Sequence, residues 1–204
     1  ISIFLVGLFS DLRFFNNTIK RILIQFFTLF FFVYILDVKI FETKFLPIDN
    51  IILQNNVLNF LFVVFCLMIL INGSNFVDGI NTLFISYIIM ILLMMLFHLN
   101  DFINDPGTIK DLIFILLIIF LFNLLGIIIL GDSGSYLLSL YLGLYLINLS
   151  NLNILISPFF IVLLLWYPCF ELLFSIIRRK IKKKNSYNPD IYHLHQMLYK
   201  FVSS

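Results

Sequence analysis

Long apolar stretches separated by short polar islands define this chain. After an apolar run that occupies the first nine residues, runs long enough to cross or nearly cross a bilayer lie at about 19–36, 57–71, 82–97, 112–130, 135–149 and 154–177. Backbone in lipid must satisfy its own hydrogen bonds, so each run is expected to be helical, and the alternating pattern of a membrane β-barrel is absent. The expected fold class is all-α, a polytopic transmembrane bundle of about seven helices. Residues 1–204 form one integral-membrane domain on this reading, a fragment incomplete at both ends. Between the runs stand four polar islands: Gly7 to Asp11 (GLFSD), Asn72 to Asn81 (NGSNFVDGIN), Gly131 to Ser135 (GDSGS) and Asp190 to His195 (DIYHLH).

Charge orients these crossings. Arg13, Lys20, Arg21, Arg178, Arg179, Lys180, Lys182, Lys183, Lys184 and Lys200 fall in segments of one parity, against Lys39, Lys44 and Lys110 in the other. The positive-inside rule makes the ten-charge side cytoplasmic, and all four islands lie on it. Asp11, Asp78, Asp132, Glu171 and Asp190 lie in or beside those islands, as do five of the eight glycines. Composition agrees with the pattern: 62% of residues are hydrophobic, 12% charged, and mean hydropathy is +1.08. No soluble domain of this length could hide so much apolar surface. Cys66 and Cys169 sit in apolar runs and read as small buried hydrophobes, not as a disulfide or metal pair.

Three carboxylates from separate islands, Asp11, Asp78 and Asp132, with Asn72, Asn75 and Asn81, make an oxygen-rich set suited to Mg²⁺. That ion commonly binds through one or two carboxylates plus substrate phosphates. Arg178, Arg179, His193 and His195 could balance phosphate charge, and the backbone amides of GDSGS could serve the same end. His193 and His195 are too far apart in angle on a helix to share one metal. Glu171, in an apolar helix after Pro168, is costly there and so a functional candidate, while Pro168 reads as a kink.

In order and spacing the islands resemble the polyprenyl-phosphate N-acetylhexosamine-1-phosphate transferases, the MraY/WecA family. GLFSD is similar to its G-[LVF]-x-D-D, NGSNFVDGIN to N-x-x-N-x-x-D-G-x-D-G, LGDSGS to [ML]-G-D-[ST]-G-S, and NPDIYHLHQ to S-P-x-x-D-x-x-H-[LI]-H-H. GDSGS alone also resembles serine-hydrolase patterns, but the chain offers no aqueous fold for a triad. Ser10 departs from the first aspartate of the first motif, Asn81 and Thr82 from the second D-G, and Gln196 from the last histidine.

The resemblance implies transfer of N-acetylhexosamine-1-phosphate from a UDP-sugar to undecaprenyl phosphate, releasing UMP, in cell-wall or lipopolysaccharide precursor synthesis. It implies a multi-pass protein of the bacterial cytoplasmic membrane, active site inward. Its partners would be the lipid, the nucleotide sugar and the bilayer, with no nucleic acid, and a homodimer is compatible with it. Asp132 is then the principal ligand of Mg²⁺, or of Mn²⁺ in its place, and Asp78 the second carboxylate. Asp11 would orient or deprotonate the acceptor. Asn72, Asn75, Asn81, Gly134 and Ser135 would shape the donor site, and Arg179, His193 and His195 would grip the diphosphate or nucleotide. The alternatives are a transporter using the carboxylates as a midplane ion site, or a degenerate homologue acting as an assembly partner.

Overall fold

A computed structural model describes residues 1–14, 17–153 and 155–181. They form an all-α bundle with no strand among them: α1 (Ser2–Asp11), α2 (Thr18–Ile35), α3 (Leu46–Ile52), α4 (Asn56–Val77), α5 (Leu83–His98), α6 (Pro106–Leu124), α7 (Gly131–Leu152), α8 (Pro158–Leu164) and α9 (Trp166–Ile181), with one 3-10 turn at Asn100–Phe102. Helix starts follow local chemistry. The side chains of Asn17, Asn55 and Asp105 each accept from backbone amides of the first turn, and Pro106 occupies the first turn of α6, where no amide is missed.

Each apolar run appears as a helix, in order, the last one as the bent pair α8 and α9, and the ends differ. The first part of the Asn-rich island, Asn72 to Val77, is not a loop but the end of α4, while Asp78 to Asn81 form the turn into α5, and GDSGS is the first turn of α7. Asn, Ser and Gly are poor helix formers, and here packing against neighbouring helices overrides that preference. Helix α3 was not expected from the hydropathy pattern. Among the described residues three helices, α2, α4 and α6, are long and apolar enough to cross a membrane, and the count becomes four if α8 and α9, bent by 70° at their junction, are taken as one span. The expected seven spans are not all matched among the described residues, where α1 and α5 are apolar but shorter than a simple span.

Helix α7 lies at the centre. Its Tyr136 and Leu140 join Ile3, Val6, Leu29, Val33, Val64 and Ile71 in one apolar cluster, while Leu142, Leu146 and Leu149 join the α5 and α6 residues in another. Outward-facing residues such as Phe27, Phe31, Phe114, Leu121 and Leu125 remain exposed, as a lipid-facing surface requires. The expected kink falls just before Pro168. Proline has no N–H to offer the carbonyl four residues back, and that Leu164 carbonyl instead accepts the Tyr87 hydroxyl. Gly73 is what lets α4 meet α9 there: a Cβ at this position would stand 2.1 Å from the Pro168 carbonyl oxygen. At the end of the bundle away from the islands, Asn59 and Asn151 bond the backbone of Lys39, Ile40 and Phe41, strapping the 37–45 segment across α4 and α7.

Candidate active site

The first three islands meet at one end of the bundle, as the charge parity requires. Asp11 is the last residue of α1, Asp78 follows the last turn of α4, and Asp132 is the second residue of α7. All three carboxylates are therefore at helix ends. The fourth island, with Asp190, His193, His195 and Gln196, lies outside the described residues, as do Lys182, Lys183, Lys184 and Lys200.

Asp11 is not in a solvated loop. Its two carboxylate oxygens accept from the backbone N–H groups of Asp132, at 2.9 Å, and Ser133, at 3.0 Å. It thus caps the N-terminus of α7 from another helix, where the helix dipole favours negative charge. The approach depends on Gly7, one turn earlier in α1, because a Cβ there would lie 2.4 Å from Ser133 Cα. This overturns the expectation that the GDSGS amides are free for a phosphate. Asp132 and Ser133 donate to Asp11, and the Gly134 amide donates to the Leu130 carbonyl.

Asp132 is the hub. Its Oδ2 accepts from the Ser10 hydroxyl at 2.6 Å, from Arg21 Nη1 at 3.2 Å and, at 3.4 Å, from the Tyr136 hydroxyl, while Oδ1 accepts from the Asn75 amide. Arg21 and Asp132 form an ion pair whose side chains are 25% and 20% exposed, between the surface and the interior. Arg21 also donates to Ser10 at 3.4 Å. Gln25, one turn further along α2, is fully buried beside the Tyr136 hydroxyl.

Asp78 differs from the other two. Nothing among the described residues donates to its carboxylate. Burial first, then the negative charges of Asp132 and Asp11, push its carboxyl up to about 7.

The remaining candidates divide. Asn75 reaches Asp132 directly. Asn72 donates to the Met68 carbonyl of its own helix at 2.9 Å, and Asn81 is exposed in the α4–α5 connection. Gly134 is half-buried and faces the Leu130 side chain, and Ser135 is fully buried with its hydroxyl donating to the Asp132 carbonyl, so Ser135 does not line an open surface. Arg179, near the end of α9, lies over the Phe76 ring at 5.7 Å, close to the Asn75–Asp78 turn. Glu171 is 1% exposed, within α9.

Two residues here escaped the sequence reading. Arg21 entered it only as a counted charge, although a cation one helix turn inside an apolar run is itself a signal of an acidic partner. Asn123, 2% exposed, accepts from the Thr82 amide and donates to the Ile128 carbonyl, joining the α4–α5 turn to the end of α6. Its signal was a single amide inside the apolar run at 112–130.

Among the described residues no three His, Cys, Asp or Glu side chains are grouped closely enough to hold a metal by themselves. The donor set still fits an ion that takes one or two carboxylates and completes its shell with water and phosphate, because no described residue donates to Asp78 and the negative charges of Asp132 and Asp11 lie near it. Asp78 and Asp132 are the residues that would hold it.

An apolar helical bundle that gathers acids, amides and an arginine at one end defines a membrane protein with a polar cluster at that end. The family follows from comparison: residues 1–150 match the model of glycosyl transferase family 4, and the chain belongs to that family. It is also similar to an undecaprenyl-phosphate alpha-N-acetylglucosaminyl 1-phosphate transferase of Thermotoga maritima, with 27% identity over 203 residues. That alignment takes in 97% of this chain and 58% of the relative, so the chain spans little more than half of the relative's length. No solved structure matches the chain.

Proposed function

We propose that the protein to which this chain belongs transfers N-acetylhexosamine-1-phosphate from a UDP-sugar to undecaprenyl phosphate, forming a polyprenyl-diphosphate-sugar and UMP at the cytoplasmic face. The observation that carries this reading is the meeting of Asp11, Asp78 and Asp132 at the ends of three helices, on the side where the positive charges accumulate. A lipid phosphate and a soluble nucleotide can meet only at a membrane surface. The likeness to a transferase that acts on undecaprenyl phosphate supports the same choice.

Bound between Asp78 and Asp132, Mg²⁺, or Mn²⁺ in its place, would neutralise charge on the donor diphosphate. The chain's own residues then do the positioning. Asn75 and Ser10 orient Asp132, Asp11 holds the first turn of α7 that carries it, and Arg179 beside Phe76 stands where it can receive a phosphate or nucleotide. A cavity of about 540 Å³, walled by Cys66, Leu70, Gly143, Val162, Leu165 and Cys169, is apolar enough for an isoprenoid chain.

The test is a membrane assay of the full-length parent with labelled UDP-sugars, scoring UMP release that requires both polyprenyl phosphate and Mg²⁺. Asp132→Asn in the same assay should abolish turnover while the protein remains folded and inserted, since an amide is a poorer Mg²⁺ ligand of nearly the same shape. Turnover at the wild-type rate in that variant refutes the assignment.

A further inference from the structure

We propose that Arg21 is a positioning residue acting through Asp132: with Ser10 it saturates Oδ2 of that carboxylate, so that Asp132 meets its ligand through Oδ1 alone. This deepens the transferase reading and rests on it for the identity of the ligand, a diphosphate or the cation bound to one. An ionised carboxylate offers about four acceptor positions, two on each oxygen. Three donors converge on Oδ2, from Ser10, Arg21 and Tyr136, whereas Oδ1 receives Asn75 only. The open position of the carboxylate is therefore on Oδ1, the side of Asn75 and α4.

Both supports of Oδ2 come from outside α7, and each is fixed by its own surroundings. Ser10 immediately precedes Asp11, whose two bonds to the α7 amides hold the end of α1 in register with Asp132. Arg21 stands early in α2, one turn before fully buried Gln25, and its Nε is buried with no partner among the described residues. An arginine that leaves one donor unsatisfied to deliver Nη1 to an acid is held there by the packing of α2 and not by the best solution for its own hydrogen bonds. Because both of its contacts, to Ser10 and to Asp132, are made by Nη1, a single ammonium could reproduce them. The neutral hydroxyl at position 10 matters as well, since the positive charge of Arg21 then faces one carboxylate at this point and not two.

The competing role for Arg21 is direct contact with substrate phosphate, and the experiment separates the two. The full-length protein is prepared as wild type, Arg21→Lys, Arg21→Met, Asp132→Asn and the Arg21→Met/Asp132→Asn double variant. Turnover and melting temperature are measured on each. Loss of a partner that orients a ligating side chain costs about 10–100-fold. Arg21→Met should therefore lower kcat by that factor with the KM for the UDP-sugar nearly unchanged, and Arg21→Lys should restore most of it. In the melting series, the double variant should lose no more than the worse single variant, because each single change already breaks the pair. A loss that falls on donor KM with kcat intact, or melting shifts that simply add, overturns the proposal. The melting cycle needs no substrate, so it reads the Arg21–Asp132 coupling even if the wild type turns over no UDP-sugar and the transferase reading itself has failed.

Discussion

Removing the carboxylate of Asp11 should weaken the protein before it weakens the chemistry. Its oxygens accept from the Asp132 and Ser133 amides at 2.9 and 3.0 Å, and no other side chain caps α7. Hydrogen bonds to a charged group contribute about 1.5–3 kcal/mol each, but Asp11 is exposed, so water and salt keep these two toward the low end. Loss of an N-cap side chain to alanine costs ~0.5–2 kcal/mol. Together these place Asp11→Ala at about 2–3 kcal/mol. Asp11→Asn keeps one acceptor oxygen but turns an NH₂ toward an N–H and loses the charge at the helix N-terminus, itself worth ~0.3–1 kcal/mol, so about 1–2 kcal/mol is expected. At ~2–4 °C per kcal/mol for a domain of this size, the melting temperature should fall by about 4–12 °C for alanine and 2–8 °C for asparagine. The measurement is thermal melting of the detergent-solubilised full-length protein beside its turnover. Activity should fall in the same order, since Asp11 holds the turn that carries Asp132. If Asp11→Asn and Asp11→Ala are equally inactive and both melt with the wild type, the cap is energetically silent and Asp11 acts on the acceptor phosphate.

Gly73→Ala should separate α4 from α9 by forcing a Cβ onto the Pro168 carbonyl oxygen, at a cost of about 1–3 kcal/mol, read as a lowered melting temperature; unchanged melting would show that the two helices are not locked there. Asp78, with a carboxyl near 7 in the folded protein against 3.8 for the free side chain, binds more protons folded than unfolded across that window. In chelator-treated protein its contribution to stability is therefore fully present below about pH 4 and declines as pH rises to about 7; Asp78→Asn should remove this slope, and a pH–melting profile identical to wild type would refute the assignment. Ser10→Asp would bring a second carboxylate to within hydrogen-bond reach of Asp132 with one arginine to serve both. The melting deficit of that variant should widen from pH 5 to pH 8 as both acids ionise, and a deficit independent of pH would mean the new side chain has turned away.

Hydropathy and charge determined the class of this protein without any coordinates. Burial in lipid is a property of each run separately, and the parity of the charges sums over the chain, so a bundle of helices with Asp11, Asp78 and Asp132 at one end followed from local and additive quantities. The motifs likewise pointed to glycosyl transferase family 4, to which the chain belongs. Pairing is another matter. That Asp11 caps a helix starting 120 residues later, that Arg21 and Ser10 share one oxygen of Asp132, and that the Leu164 carbonyl released by Pro168 is taken by Tyr87 are decided only when helices pack. In each case a polar group has several chemically acceptable partners in the sequence, and the choice among them is made by which backbones glycine allows to approach, at Gly7 and at Gly73, because hydrogen bonds reach ~3 Å and sequence distance carries no information on that scale.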